Sequence, residues 1–169
     1  MNSKQKYLRI AIASVPLIVF AIAMTQVAFK AQHNEVETTE GYSAFLAGGM
    51  AILGGGLFEW LTWLANPIAF WAWLKFLAAS DIVPKINPIT KKSLLRPRRI
   101  NDWRSVLAAA IALSFSVWNK ILVSESGSTG EILSFGLGYW LWATSLILMA
   151  IGINYYYYKY QKTTASYTN

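Results

Sequence analysis

Between Arg9 and Lys30 the chain runs for twenty residues without an ionisable side chain. A helix needs roughly 20 apolar residues to cross about 30 Å of hydrocarbon. Few soluble designs tolerate such a run, because a helix apolar on all sides must be covered all round. The rest of the sequence repeats the pattern. Only 14% of the 169 residues are charged, against roughly 25% in a typical soluble domain. The charges gather in short segments between long uncharged ones. A bilayer imposes that distribution, since an ionised side chain at mid-membrane costs at least about 2.5–3.5 kcal/mol. Residues 8–29 therefore read as a transmembrane helix, with Lys4, Lys6 and Arg9 at its mouth. The competing reading is a secretory signal peptide. The run exceeds the usual apolar core of such peptides and lacks a clean small-x-small cleavage site, so the anchor is preferred.

Residues 31–40 are polar and carry Glu35, Glu37 and Glu40. The next forty, 41–80, are mostly apolar. As one helix they would extend about 60 Å, too long for one crossing. The candidate breaks are Gly48, Gly49, the Gly54-Gly55-Gly56 run and Pro67. Two readings remain. Either 45–64 crosses and 68–79 lies on the inner surface, or 42–53 forms a short helix at the outer face and 57–79 crosses. Glycines weaken a helix interior by roughly 1 kcal/mol each relative to Ala, which favours the second. A basic loop follows at 81–104, interrupted by Pro84, Pro88 and Pro97. Residues 105–123 read as another span, 124–130 as a turn-rich acidic linker and 132–156 as the last span. The expected fold is an all-α integral membrane protein, a single domain over 1–169. It has four transmembrane helices (about 8–29, 57–79, 105–123 and 132–156) plus a short outer-face interfacial or re-entrant helix.

Orientation follows from the Lys/Arg bias of short loops. The N-terminus, the 81–104 loop and the tail hold twelve of the fifteen basic residues, and the two other loops hold none. Both termini and the basic loop are thus expected on the cytoplasmic side of a multi-pass protein. Trp60, Trp63, Trp118, Tyr139, Trp140 and Trp142 would mark the outer interface. Trp103 and the tyrosines at 155–158 would mark the inner one.

Chemistry-bearing motifs are sparse. There is no cysteine, so neither a disulfide framework nor a thiolate metal site can form. His33 has no second His or Cys beside it. The glycine run at 54–56 is not followed by Gly-Lys-Ser/Thr, so it is no phosphate loop. No acid pair is spaced for acid/base catalysis. The sequence leads us to expect no enzyme, no cofactor and no metal. What remains is a candidate intramembrane polar site of Glu59, Asn66, Pro67 and Lys75. Pro67 removes a backbone donor and frees a carbonyl about one turn earlier, at Trp63. Asn66 can bond that carbonyl or a neighbouring helix. Glu59 is either an interfacial carboxylate or an ion or proton site, and Lys75 either snorkels or pairs. In the basic loop, Lys91, Lys92, Arg96, Arg98 and Arg99 are candidate contacts for anionic lipid, at about 1 kcal/mol per residue near the surface. With Trp103 as its only aromatic, that loop lacks the stacking groups of a nucleic-acid surface.

The segment at 41–67, GYSAFLAGGMAILGGGLFEWLTWLANP, resembles a stretch recurring in small uncharacterised bacterial inner-membrane proteins. Their pattern is a Gly-rich apolar segment, an aromatic pair and Ala-Asn-Pro opening an apolar helix. The resemblance implies a bacterial inner membrane and carries no activity with it. Small loops, abundant Trp and Tyr and the absence of catalytic groups suggest an accessory, assembly or immunity-type protein. Such a protein would pack against another membrane protein or itself. The alternative is a small oligomeric transporter or channel using Glu59, Asn66 and the Pro67 kink. A lipid-modifying enzyme is a more distant third.

Overall fold

The computed structural model describes residues 3–78, 102–123 and 127–165, with side chains to Tyr160. It is a mixed α/β fold. Helix α1 (Ser3–Met24) leads into strands β1 (Val27–Gln32) and β2 (Val36–Glu40). Helix α2 (Gly41–Met50), a 3-10 turn (Ala51–Gly54) and helices α3 (Leu57–Trp63) and α4 (Ala65–Ala78) follow. Helix α5 (Trp103–Ser114) and a 3-10 turn (Phe115–Val117) precede strands β3 (Lys120–Leu122) and β4 (Thr129–Phe135). Helix α6 (Leu137–Ala165) closes the described chain.

The strands form one antiparallel sheet in the order β2-β1-β4-β3. Two hairpins, one from each half of the chain, meet where Phe29 lies opposite Phe135 and Lys30 opposite Ser134. Since α1 runs into the sheet and α6 runs out of it, the two helices lie side by side in opposite directions. Ile12 meets α6 at Gly152, where an added methyl would fall 2.9 Å from the Ile12 side chain. The free ends of both helices therefore lie away from the sheet. Helices α4 and α5 pack against this pair. Arg9 donates to the carbonyls of Phe76 (2.9 Å) and Leu77 (2.6 Å). It thereby covers the last turn of α4, where carbonyls lack intrahelical donors.

This architecture corrects the expected all-α fold with four spans. Two helices, 3–24 and 137–160, are long and apolar enough to cross a membrane by length and composition. The description as a multi-pass protein of four crossings does not stand. The physical reason is local. Residues 27–29, taken as the end of the first span, already belong to β1, and 132–135 belong to β4. Helix α5 has 12 residues, about 18 Å at 1.5 Å each, before the chain turns extended at Trp118. The 57–79 segment is divided at Leu64 into helices of 7 and 14 residues. The 41–80 stretch does break at the glycines. Gly55, at φ 86°, ends the 3-10 turn.

The core has an unusual composition. Its fully covered positions are mostly small, with Ala23, Ala65, Ala72, Ala108, Ala112 and Ala143 at or near zero exposure. Ser105, Ser145 and Asn66 are buried with them. Large apolar side chains point outward instead, including Ile18 and Ile22 on α1, Trp71 and Leu74 on α4, Val106 on α5 and Ile151 on α6. Only 22% of the most apolar window of α1 is buried inside the molecule. Phe76 and Ile153 are among the few large side chains fully enclosed, and Phe76 meets Tyr156 edge-on at 5.2 Å.

Candidate functional site

The site begins at the joint between α3 and α4. Pro67 is the third residue of α4; the N–H groups of Leu64 and Ile68 bond the carbonyls four residues back, so the N–H that proline lacks leaves the Trp63 carbonyl without its helical donor. The residue four before it is Trp63. The Asn66 amide Nδ2 donates to the Trp63 carbonyl at 3.1 Å, and its Oδ1 accepts the Trp142 indole N–H at 2.8 Å. Asn66, 4% exposed, thus satisfies the joint and ties it to α6. Both functions of the amide are used, as burial requires.

Trp63 extends the connection. Its indole N–H donates to the Phe45 carbonyl of α2 at 2.8 Å. The indole lies so close over Gly48 and Gly49 that a methyl on either would come within 3.0–3.1 Å of it. The two glycines allow the α2 backbone and the ring to touch. The Gly-rich segment and the aromatic pair are therefore two halves of one packing contact.

Glu59 sits one turn before Trp63 and is partly buried. Its Oε1 accepts the Leu122 N–H at 2.9 Å. Because β3 is an outer strand of the sheet, this bond covers an edge donor that would otherwise be open. Among the described residues Glu59 forms no ion pair.

Glu59, Thr62, Trp63 and Asn66 stand at helical spacing i, i+3, i+4 and i+7, which places them on one face. All four line a cleft of about 720 Å³ between the inner side of the sheet, α2, the α3–α4 joint and the start of α6. That volume lies within the usual range of ligand pockets. Phe29, Phe45, Trp63, Phe115, Tyr139 and Trp142 supply an aromatic wall. Thr39, Ser43 and Thr62 add hydroxyls. Among the described residues, the charged ones lining the cleft are Glu37 and Glu59, and no Lys or Arg lines it.

Of the residues singled out from sequence, Glu59 and Asn66 come together in the cleft. Pro67 is exposed beside Asn66 and shapes the joint without lining the cavity. Lys75 stands apart near the far end of α4, exposed, with its ammonium 5.4 Å from the Trp71 ring centre. Lys91, Lys92, Arg96, Arg98 and Arg99 lie outside the described residues. Sequence reading missed Glu37, Thr62, Tyr139 and Trp142 as site residues. Glu37 and Thr62 give no local signal, and Tyr139 reads from sequence as an outer-interface residue. Trp142 had been assigned to an interfacial belt, whereas its N–H is spent inside on Asn66. Among the described residues no group of three or more His, Asp or Glu is placed to hold a metal ion. No family model, no curated protein and no solved structure matches the chain.

Proposed function

We propose that this chain is a small, non-enzymatic binding protein of a bacterial inner membrane, and that the cleft beneath its sheet is the working site. The observation that carries the reading is the convergence of Glu59, Thr62 and Trp63 from α3 and Asn66 from the first turn of α4 on a single cavity of about 720 Å³. The membrane setting rests on the inverted packing. Small and polar residues at helix contacts with large apolar residues outside are how helices associate when lipid covers the outer face. In this proposal α1 and α6 cross the bilayer, with α4 and α5 leaning on them. The Lys/Arg bias puts both termini on the cytoplasmic side, the sheet and cleft on the other, and the 91–99 basic run beside anionic lipid.

A second reading, an accessory protein that packs against another membrane protein, draws on exposed apolar residues such as Trp71, Leu74 and Ile151. A photoreactive amino acid placed in living cells separates the two. Ala47 lines the cleft, whereas Ile151 lies on the outer face of α6 and is 63% exposed. The binding reading predicts a small-molecule adduct of a few hundred daltons at position 47, the scale of pocket ligands. A protein-sized adduct at 151 with none at 47 would replace it by the accessory reading.

A further inference from the structure

The lining of the cleft restricts what it can hold. An anion is disfavoured, because among the described residues both charged groups on its wall are carboxylates. Hard inorganic cations take six or more oxygen ligands and surrender water reluctantly. Here two glutamates are accompanied mainly by aromatic and aliphatic carbon. A neutral apolar occupant would strip water from Glu59 without replacing it, at a cost typical of a buried unpaired charge. An organic cation meets every term at once. Its charge faces the free side of the Glu59 carboxylate, and its carbon surface lies against rings whose faces are negative.

We infer that the cleft binds an organic ammonium ion, a quaternary or alkylated amine, with Glu59 as its counter-ion and Trp63 and Trp142 as its aromatic walls. This deepens the binding reading above and rests on it. The indole N–H groups of Trp63 and Trp142 are both engaged with the protein, which fixes the rings in place. Glu59 is held in turn by Leu122 N–H through Oε1. Its second oxygen, Oε2, has no hydrogen-bond partner among the described residues and is not fully buried. Glu37, exposed on β2, adds negative potential at the mouth. The cation can arrive as a free amine or as the headgroup of a lipid, since the recognised chemistry is the same.

The test uses the full chain in nanodiscs of phosphatidylglycerol, which has no ammonium headgroup, titrated with radiolabelled choline. The competitor is 3,3-dimethylbutan-1-ol, which matches choline in shape and replaces its charged nitrogen by carbon. Choline should bind at least about tenfold more tightly than the alcohol competes, equivalent to about 1.4 kcal/mol or more. Glu59→Gln keeps an acceptor for Leu122 N–H and removes only the charge. It should weaken choline at least about tenfold with the melting temperature unchanged, whereas Glu37→Gln should weaken it less. Repeating the titration in phosphatidylcholine discs assigns the source. Loss of choline binding there identifies a lipid headgroup as the occupant, and unchanged binding identifies a free amine. Equal affinity for choline and the alcohol overturns the cation inference and leaves the binding reading standing. No choline binding up to about 50 mM also overturns the inference, and photoadducts at position 47 then decide the binding reading separately.

Discussion

A single amide does three things at Asn66. It satisfies the carbonyl of Trp63 and accepts from Trp142, and it lines the cleft. Removing it leaves two half-buried partners unpaired, each at about 1–3 kcal/mol or less. Asn66→Ala should therefore lower stability by about 2–4 kcal/mol, read as a fall in melting temperature in mild detergent, and Asn66→Leu by at least as much. Trp142→Phe frees only the Oδ1 end and should cost about 1–2 kcal/mol. A melting temperature unchanged by Asn66→Ala would contradict the structural role. This residue was legible in sequence, because a proline in an apolar run announces a freed carbonyl four residues back and the adjacent Asn is the obvious donor. Trp142, seventy-six positions away, was not, since no local pattern tells a tryptophan at an interface from one turned inward.

At the scale of elements, the glycines of α2 and the indole of Trp63 form one unit. Gly49→Ala would place a methyl 3.1 Å from the six-membered half of the indole, and overpacking of this kind typically costs 1–3 kcal/mol. Phenylalanine lacks the second ring, so Gly49→Ala should cost distinctly less in a Trp63→Phe background. A double-mutant cycle on thermal stability measures the difference, and strict additivity would show that the two do not touch. Apolar run lengths marked the two long helices α1 and α6, but the sheet could not be seen that way. Val36, Thr38 and Thr39 favour extended backbone, and the His33-Asn34-Glu35 turn and the Gly127 region each separate two apolar or β-branched runs. That is a hairpin signature. It is masked because Phe29 and Ile132 also extend neighbouring apolar runs, and membrane helix and buried strand share the same residues at their junctions. The pairing of β1 with β4 joins segments about a hundred residues apart, which only tertiary structure reveals.

At the scale of the whole molecule, the sheet sits at one end of the helices and both ends of the described chain sit at the other. If α1 and α6 cross the bilayer, single cysteines replacing Thr38 in β2 or Ser128 beside β4 should react with an impermeant thiol reagent in intact cells. One replacing Lys4 should react only after permeabilisation. The natural chain has no cysteine, so background labelling is absent. The reverse pattern would invert the orientation. The described wall of the cleft combines two carboxylates with six aromatic side chains. That combination should concentrate cations at position 47, which lines it. Electrostatic focusing in a low-dielectric cleft changes local ion concentration by a factor of about 10 or more. The decisive measurement is the rate at which Ala47→Cys reacts, in intact cells, with trimethylammonium-ethyl and with sulfonatoethyl methanethiosulfonate. The account predicts reaction with the cationic reagent, and a cation-to-anion rate ratio at least about tenfold above that of free cysteine in solution. A ratio equal to that of free cysteine, or no reaction until the cells are opened, would contradict it.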